Sequence, residues 1–339
     1  MKGMLRVLAL YFFLQFFLVQ PDYAQLRRFN PNKFYEATNQ QVTNFHGERT
    51  EFGSARHFVS FEVGGGFAAY LGDIHFNREF ITPTTDISTT YRLGKRFQVR
   101  GGFIWSQLNG DDFVASNPQK ESQQYHYVRN LQFRNNVKEF YVKALFDVFP
   151  SYFAGSRVLF TPFFGFGAGL IHHNPKGLVP REARLAPKEE LMTPERAGMW
   201  VQLRDLQTEG EKYSPVSAAI PFTFGVRFYL TNHLDIEINA DYHYFLTDYI
   251  DDIKGEYQHK QRSELSHVMA NRSLEQYAVL AGGDRLALLP RNSSVQPANF
   301  GAPGTNRGTT PLHDSMVAVY LRLVYIMGPN PIKKVKITR

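Results

Sequence analysis

The sequence predicts an all-β protein: an eight-stranded antiparallel transmembrane β-barrel with short periplasmic turns and long outer loops. Three observations predict it. The first is the stretch 233–245, where apolar and polar residues alternate without a break. Leu234, Ile236, Ile238, Ala240, Tyr242 and Tyr244 fall on one face of a strand, and Asp235, Glu237, Asn239, Asp241 and His243 on the other. Its length suits a bilayer crossing of about 9–11 tilted residues. The second observation is that the pattern recurs along the chain. The third is that the connections between its occurrences alternate between short and long, as an outer-membrane barrel requires.

The chain opens with Lys2 and Arg6, continues with an apolar run from Val7 to Val19 broken only by Gln15, and reaches Pro21-Asp22-Tyr23-Ala24. This is the layout of a secretory signal peptide over 1–24, cut after Ala24. Asp22 stands where a small residue is usual, which leaves the cut open by a few residues. The competing reading, an uncleaved anchor, needs a longer span of roughly 20 apolar residues. Residues 25–56 are polar and aperiodic, and read as a periplasmic N-terminal extension. The barrel is expected over 57–327.

Eight strands are expected, near 57–72, 84–93, 97–109, 137–149, 157–171, 217–230, 233–245 and 315–327. Their apolar faces carry residues such as Phe61, Val63 and Phe67 in the first, Phe140 and Val142 in the fourth, and Leu321 and Leu323 in the eighth. The fourth competes with a helix, because Glu139, Lys143 and Asp147 also recur every four residues. The connections 94–96, 150–156 and 231–232 are short; 110–136, 172–216 and 246–314 are long. After the last strand, 328–339 holds two prolines and Lys333, Lys334, Lys336 and Arg339, a basic periplasmic tail.

Composition narrows the class. Aromatic content is 15%, with 30 Phe and 18 Tyr, as a lipid face and its interfacial girdles use. Mean hydropathy is only −0.33, which alternating strands produce even in a membrane protein. Cysteine is absent, so neither disulfides nor thiolate metal sites contribute. The formal net charge is +7, but the charges are scattered and no basic cluster is interleaved with stacking aromatics. Nucleic acid is not an expected partner of an exported chain.

Twelve ionisable groups sit on the polar face of the strands: Glu62, Arg92, Arg100, Glu139, Lys143, Asp147, Arg227, Asp235, Glu237, Asp241, His243 and Arg322. A lipocalin-like soluble barrel would turn this face to water and enclose the apolar one. If the charged face points inward, an eight-stranded interior is just wide enough for side chains to fill. Six acids against five bases, with His243 set aside, then read as a salt-bridged plug. The glycines at 64–66 and at 165, 167 and 169 fit close backbone approach, bulges or room for large opposing side chains.

Few constellations suggest chemistry. Asp248, Asp251 and Asp252 are spaced for Ca²⁺, but three carboxylates need further ligands and the glycine of an EF-hand loop is missing. Solvated loop acids capping the barrel wall are the plainer reading. His172 and His173 are adjacent on a strand and point to opposite faces, so they cannot chelate together; a strand-end belt role fits. His243 beside Asp241 has the makings of a catalytic base, but nothing marks a nucleophile. No cofactor fingerprint or zinc motif occurs.

Four segments together resemble a known family. They are Asn130-Leu131-Gln132-Phe133-Arg134-Asn135; the glycine-rich strand 164–169 running to Asn174-Pro175-Lys176-Gly177; Trp200-Val201-Gln202-Leu203 leading to Thr208-Glu209-Gly210; and Thr247-Asp248-Tyr249-Ile250-Asp251-Asp252. In this order they are similar to the PorG-like outer-membrane barrels of the type IX (Por) secretion system, over roughly 57–327. The resemblance implies a non-enzymatic barrel without cofactor. Its partners are outer-membrane lipid and a periplasmic ring built by a lipoprotein and its partner, in a machine that exports cargo with a C-terminal signal. This chain departs from the family at Asp205-Leu206, where Pro-Leu-Gly is expected before Thr-Glu-Gly. It also has long inserts at 178–198 and 254–312, and a basic tail in place of a strand-terminal aromatic. Without the resemblance, an adhesin or envelope structural barrel stays open, as does a lipid-modifying barrel enzyme.

Overall fold

The computed structural model describes residues 58–150, 159–185, 190–231, 233–258, 261–273, 275, 300–308 and 313–327, and the backbone of 152–153 and 156–157. The expected signal peptide, N-terminal extension and basic tail lie outside the described residues, as do parts of the two inserts.

The strands are β1 (Phe58–Leu71), β2 (Thr82–Arg92), β3 (Phe97–Asp111), β4 (Gln132–Asp147), β5 (Tyr152–Phe153), β6 (Ser156–Arg157), β7 (Phe160–His172), β8 (Lys176–Leu178), β9 (Trp200–Gln202), β10 (Val216–Tyr229), β11 (Leu234–Phe245) and β12 (Ser315–Met327). Eight of them pair antiparallel in the cyclic order β1-β2-β3-β4-β7-β10-β11-β12. The ring closes where β12 returns to β1, from Val59 opposite Met327 to Leu71 opposite Ser315. Every backbone edge within the wall is therefore paired, the condition for a sheet to sit in hydrocarbon. β5 and β6 form a minor hairpin inside one short connection.

Side chains alternate across the wall as the strand period dictates. Phe140 is 67% exposed, Ile238 51% and Leu321 59% on the outside. Between them, on the inside, Glu139, Lys143, Glu237, Asp241 and Arg322 are fully buried. β4 is a strand throughout. The four-residue recurrence of Glu139, Lys143 and Asp147 also satisfies period two, so all three face the lumen.

β4 begins five residues before the expected start, and β3 runs past its expected end. The alternation inverts there. Below Glu139, apolar residues face out and charges face in. Above it, Phe133 and Val137 are buried while Arg134, Asn136 and Lys138 are exposed. β3 inverts at the same level: Trp105 is exposed, Leu108 buried, and Gln107 and Asn109 point outward. Trp105 lies opposite Lys138 in the register. The inversion marks where lipid gives way to water. From Phe140 to Val148 the β4 apolar face spans nine residues, or about 20 Å once tilted, close to the apolar band of such barrels.

Glycine makes room for the interior charges at Gly64, where a Cβ would come within 2.6 Å of Arg322 Cγ.

The long connections are folded, not extended. They contain helices α1 (Asp112–Ala115), α2 (Glu121–Arg129), α3 (Leu203–Leu206) and α4 (Glu264–Ala270). They also hold β8 and β9, which add to the top of β4 through Arg134 opposite Lys176. An apolar core sits beneath them. Tyr70, Leu108, Phe133, Val137, Ile171, Phe245 and Met316 from the wall pack with Ile74, Leu131, Val179, Val201, Leu203, Ile250, Ile253, Leu265 and Met269 from the connections. The molecule thus has an ionic lumen at membrane depth, an apolar layer above it, and a polar cap on top.

Candidate functional site

Two clusters of polar side chains stand out: the lumen and the cap.

In the lumen the twelve expected groups are all buried. Asp86 joins them from β2, a thirteenth group on the same face. Most of them fall into two chains of contacts, joined where Ser88 donates toward both Glu62 and Asp86. Asp147 takes Arg92 at 2.9 Å and Arg227 at 3.2 Å. Arg227 reaches Glu237 at 2.7 Å, and Glu237 receives Arg100 at 2.8 Å. Arg100 turns to Glu62 at 2.6 Å. Arg322 bridges Asp86 at 3.2 Å and Asp241 at 3.3 Å, and Lys143 meets Asp241 at 2.7 Å. Asp235 is buried on the same face near the short-turn end. Neutral donors fill remaining lone pairs: Ser88 donates to Glu62 at 2.9 Å, Tyr141 to Asp86 at 2.7 Å and Gln98 to Asp147 at 2.7 Å. Buried carboxylates are held where opposite charges and hydrogen bonds compensate their lost hydration.

His243 lies among these contacts, not beside a nucleophile. Its Nδ1 is 2.7 Å from Glu139 and its Nε2 is 3.9 Å from Asp241. Among the described residues neither ring nitrogen has a serine partner, and the imidazole is buried.

The cap gathers the segments that carry the family resemblance. Asn174 donates its backbone N–H to Asn135 at 2.9 Å, and Asn135 donates to the Ile250 carbonyl at 2.7 Å. The Pro175 carbonyl receives the Leu203 N–H at 3.0 Å, which seats Leu203 in the apolar layer. Trp200 is partly exposed on the outer side of β9, 4.5 Å from the Arg134 guanidinium carbon. Thr208 donates to Asp252, and Tyr213 does so at 2.8 Å. Glu209 accepts the N–H groups of Lys254 at 3.0 Å and Gly255 at 3.1 Å, and pairs with Arg307 at 2.9 Å. Gly210 has φ of +78°, a left-handed conformation that suits glycine. Thr247 accepts from the Tyr249 N–H at 3.3 Å, and Tyr249 stacks on Tyr213 at 4.2 Å between ring centres.

The acidic cluster differs from expectation. Asp248, Asp251 and Asp252 are buried, not solvated. The cause is that the connections fold over the barrel mouth, placing this segment between the wall and the other loops. Tyr70 contacts Asp251 at 2.7 Å and also Asp314, while the Asp73 N–H donates to the same hydroxyl. A tyrosine has one proton to give, so one of these two carboxyls must itself be protonated to make the second contact. Burial, and then the mutual charges of Asp314 and Asp73, hold Asp251 well above the usual carboxylate range. Asp314 is raised in the same way by burial and by Asp248 and Asp73. Burial and Asp73 push Asp248 up to about 7. Burial pushes Asp252 up to about 6 against the opposing charge of Arg307. Among the described residues no group of His, Asp and Glu has the arrangement to hold a metal ion.

His172 is exposed at the strand end, whereas His173 is buried and stacked on Tyr213 at 5.9 Å. The expected belt role fits only the first.

Tyr70, Asp73, Asp112, Arg129, Tyr213, Arg307 and Asp314 were not singled out from the sequence. Arg129 clamps Asp112 with contacts of 2.7 and 2.9 Å and donates to the Arg307 carbonyl at 2.8 Å. Tyr70 and Asp314 are 244 positions apart, so no local pattern signals their meeting.

No family model matches the chain, and no curated protein matches it. Among solved structures it is similar to Neisserial surface protein A, at 8% identity and a TM-score of 0.34, over 79% of this chain and 96% of that one. It is similar to Ail of Yersinia pestis, at 8% identity and a TM-score of 0.32, over 79% and 97% of the two chains. It is also similar to the outer membrane protein OprG of Pseudomonas aeruginosa, at 10% identity and a TM-score of 0.33, over 81% and 99%. At this level the likeness adds nothing beyond the barrel itself.

Proposed function

We propose that this chain is a non-enzymatic outer-membrane component of the type IX secretion machinery, which docks a periplasmic ring complex to the membrane. One observation carries the reading. The four segments that resemble PorG-like barrels lie far apart in sequence, yet interlock in one cap through Asn135, Asn174, Leu203, Thr208, Glu209 and Asp252. Residues that act as one structural unit are a sounder basis for a family resemblance than four separate matches. The filled lumen supports an anchoring role over a conducting one, because a salt-bridged interior offers cargo no path. The side available to a periplasmic partner is that of the short turns at 94–96, 150–156 and 231–232, joined in sequence by 25–56 and 328–339.

The test is affinity purification from detergent-solubilised membrane, with residues 25–56 and 328–339 removed singly and together. Insertion is checked by heat-modifiable gel mobility. The expected result is co-purification of the ring lipoprotein and its partner with the full chain, and its loss in the double truncation. If deletions within 254–312 abolish ring binding while the truncations do not, the docking side is wrong. If the full chain retains no ring protein, the secretion role falls, and the adhesin or envelope reading takes its place. That second reading draws on the folded cap, a large structured surface facing away from the short turns.

A further inference from the structure

We infer that the outer face of β4, β7 and β8, just above the apolar belt, binds the phosphorylated headgroup of an outer-leaflet lipid. The inference rests on the transmembrane placement of the barrel and not on the secretion role, so the two can fail separately.

The inverted alternation of β4 turns Lys138 outward immediately above Phe140, and Arg134 outward four residues further up the strand. In the sheet register Lys138 lies directly opposite His172 of β7, and Arg134 directly opposite Lys176 of β8. Leu170, two residues before His172, is 62% exposed and opposite Phe140, so the last lipid-facing row lies one step below. Arg134 and Lys176 are like charges facing each other across the sheet, and such pairs repel and destabilise it. Arg134, Lys138 and Lys176 form no ion pair with any described carboxylate. Asp111 is the nearest carboxylate along the outward side of β3, and its side chain is engaged in capping α1 at 2.9 and 3.2 Å. The repulsion is therefore uncompensated within these strands.

The setting selects the occupant. The basic side chains rise from the edge of the hydrocarbon at Lys138 to the base of the cap at Arg134 and Lys176, the level of the headgroups. Trp105 is 54% exposed and opposite Lys138, the amphipathic anchor expected at an interface. Trp200 lies 4.5 Å from the Arg134 guanidinium and holds it over the sheet. Arg134 and Lys138 are four residues apart, about 13 Å along the strand, so the row can engage more than one phosphate on a single headgroup. An acidic protein partner would meet the same charges, but it would have to enter the acyl-chain boundary that Phe140 and Leu170 define. A phosphorylated lipid is already there.

The experiment compares full-length wild type with two triple variants. One is Arg134→Gln, Lys138→Gln, Lys176→Gln. The other removes the same charge from exposed positions elsewhere: Arg78→Gln, Lys95→Gln, Lys120→Gln. Each is folded in mild detergent, checked by heat-modifiable mobility, and titrated with lipid A bearing its phosphates, with dephosphorylated lipid A, and with inorganic phosphate. Binding is read by native mass spectrometry. Wild type and the second variant should retain phosphorylated lipid A about 10–100-fold more tightly than the first, at the attraction typical of basic side chains near an anionic surface. Equal weakening in both variants overturns the site. So does equal binding of the dephosphorylated lipid. Displacement by inorganic phosphate at matching concentration overturns the lipid as its occupant.

Discussion

In the lumen, Asp241 lies within 3.3 Å of both Lys143 and Arg322, and Glu237 is flanked by Arg100 and Arg227. In the cap, Asp251 and Asp314 instead meet each other across the hydroxyl of Tyr70, with Asp73 close by. Both regions bury carboxylates, and burial alone disfavours the charged form. The lumen compensates with cations. The cap compensates there with a shared proton, while Arg307 supplies the charge at Glu209 and Asp252 and Arg129 supplies it at Asp112. The lumen is thus a permanent structural filling. The cap is an assembly whose stability depends on protonation.

Breaking a lumen pair should have the largest effect. Arg322→Ala strips Asp86 and Asp241, both fully buried, of a shared partner, at a cost of about 3–5 kcal/mol. Urea unfolding followed by heat-modifiable mobility reads it, and a loss below about 1 kcal/mol, the range of a surface pair, would place the charges in solvent. Next comes the lipid face. Ile238→Arg should cost about 2–4 kcal/mol at mid-membrane. Asn239 is no control for it, since that side chain accepts from Arg322 at 2.8 Å. Asn136, exposed above the belt, is the proper one, and equal costs at 238 and 136 would contradict the placement of the bilayer.

The cap should yield separately from the barrel. Glu209→Ala removes the Arg307 pair and frees the N–H groups of Lys254 and Gly255, for about 1–3 kcal/mol. Limited proteolysis should then cut the outer connections while heat-modifiable mobility stays unchanged. Simultaneous loss of both would mean that cap and barrel form one cooperative unit.

The smallest effect sharpens the comparison by pH. Unfolded carboxylates titrate near 4. In the folded cap Asp252 rises to about 6 and Asp248 to about 7. A raised carboxyl binds its proton more tightly when folded. Its contribution is complete below about 4 and is lost as pH rises through 6 to 7. Protease resistance of the outer connections should therefore be greater at pH 5 than at pH 8, and Asp248→Asn should flatten the difference. Greater resistance at pH 8 would reverse the protonation assigned to the cap.

Much of the barrel was legible in the residues. Period-two alternation assigns a face to each side chain without knowledge of its neighbours, which is why Glu62, Arg100, Glu237 and Arg322 could be placed together from sequence. Asp86 was passed over although it shares a face with Arg92, because β2 is rich in threonine and its alternation is faint. The spacing of the segments likewise set the order of short and long connections.

Only the tertiary structure decided what the long connections do. The sequence marked Asp248, Asp251 and Asp252 as a cluster, but burial depends on what folds over them. That role falls to Tyr70, Tyr213, Arg307 and Asp314, up to 244 positions apart in the contacts they make. The inversion in β4 was written in Phe133-Arg134-Asn135-Asn136-Val137-Lys138, yet it shows only as a loss of the lipid pattern until the apolar layer above the lumen is in place. A strand's period is local and is carried by the chain itself. The pairing of charges, the level at which lipid ends and the protonation of a buried acid are set by groups that only the fold brings together.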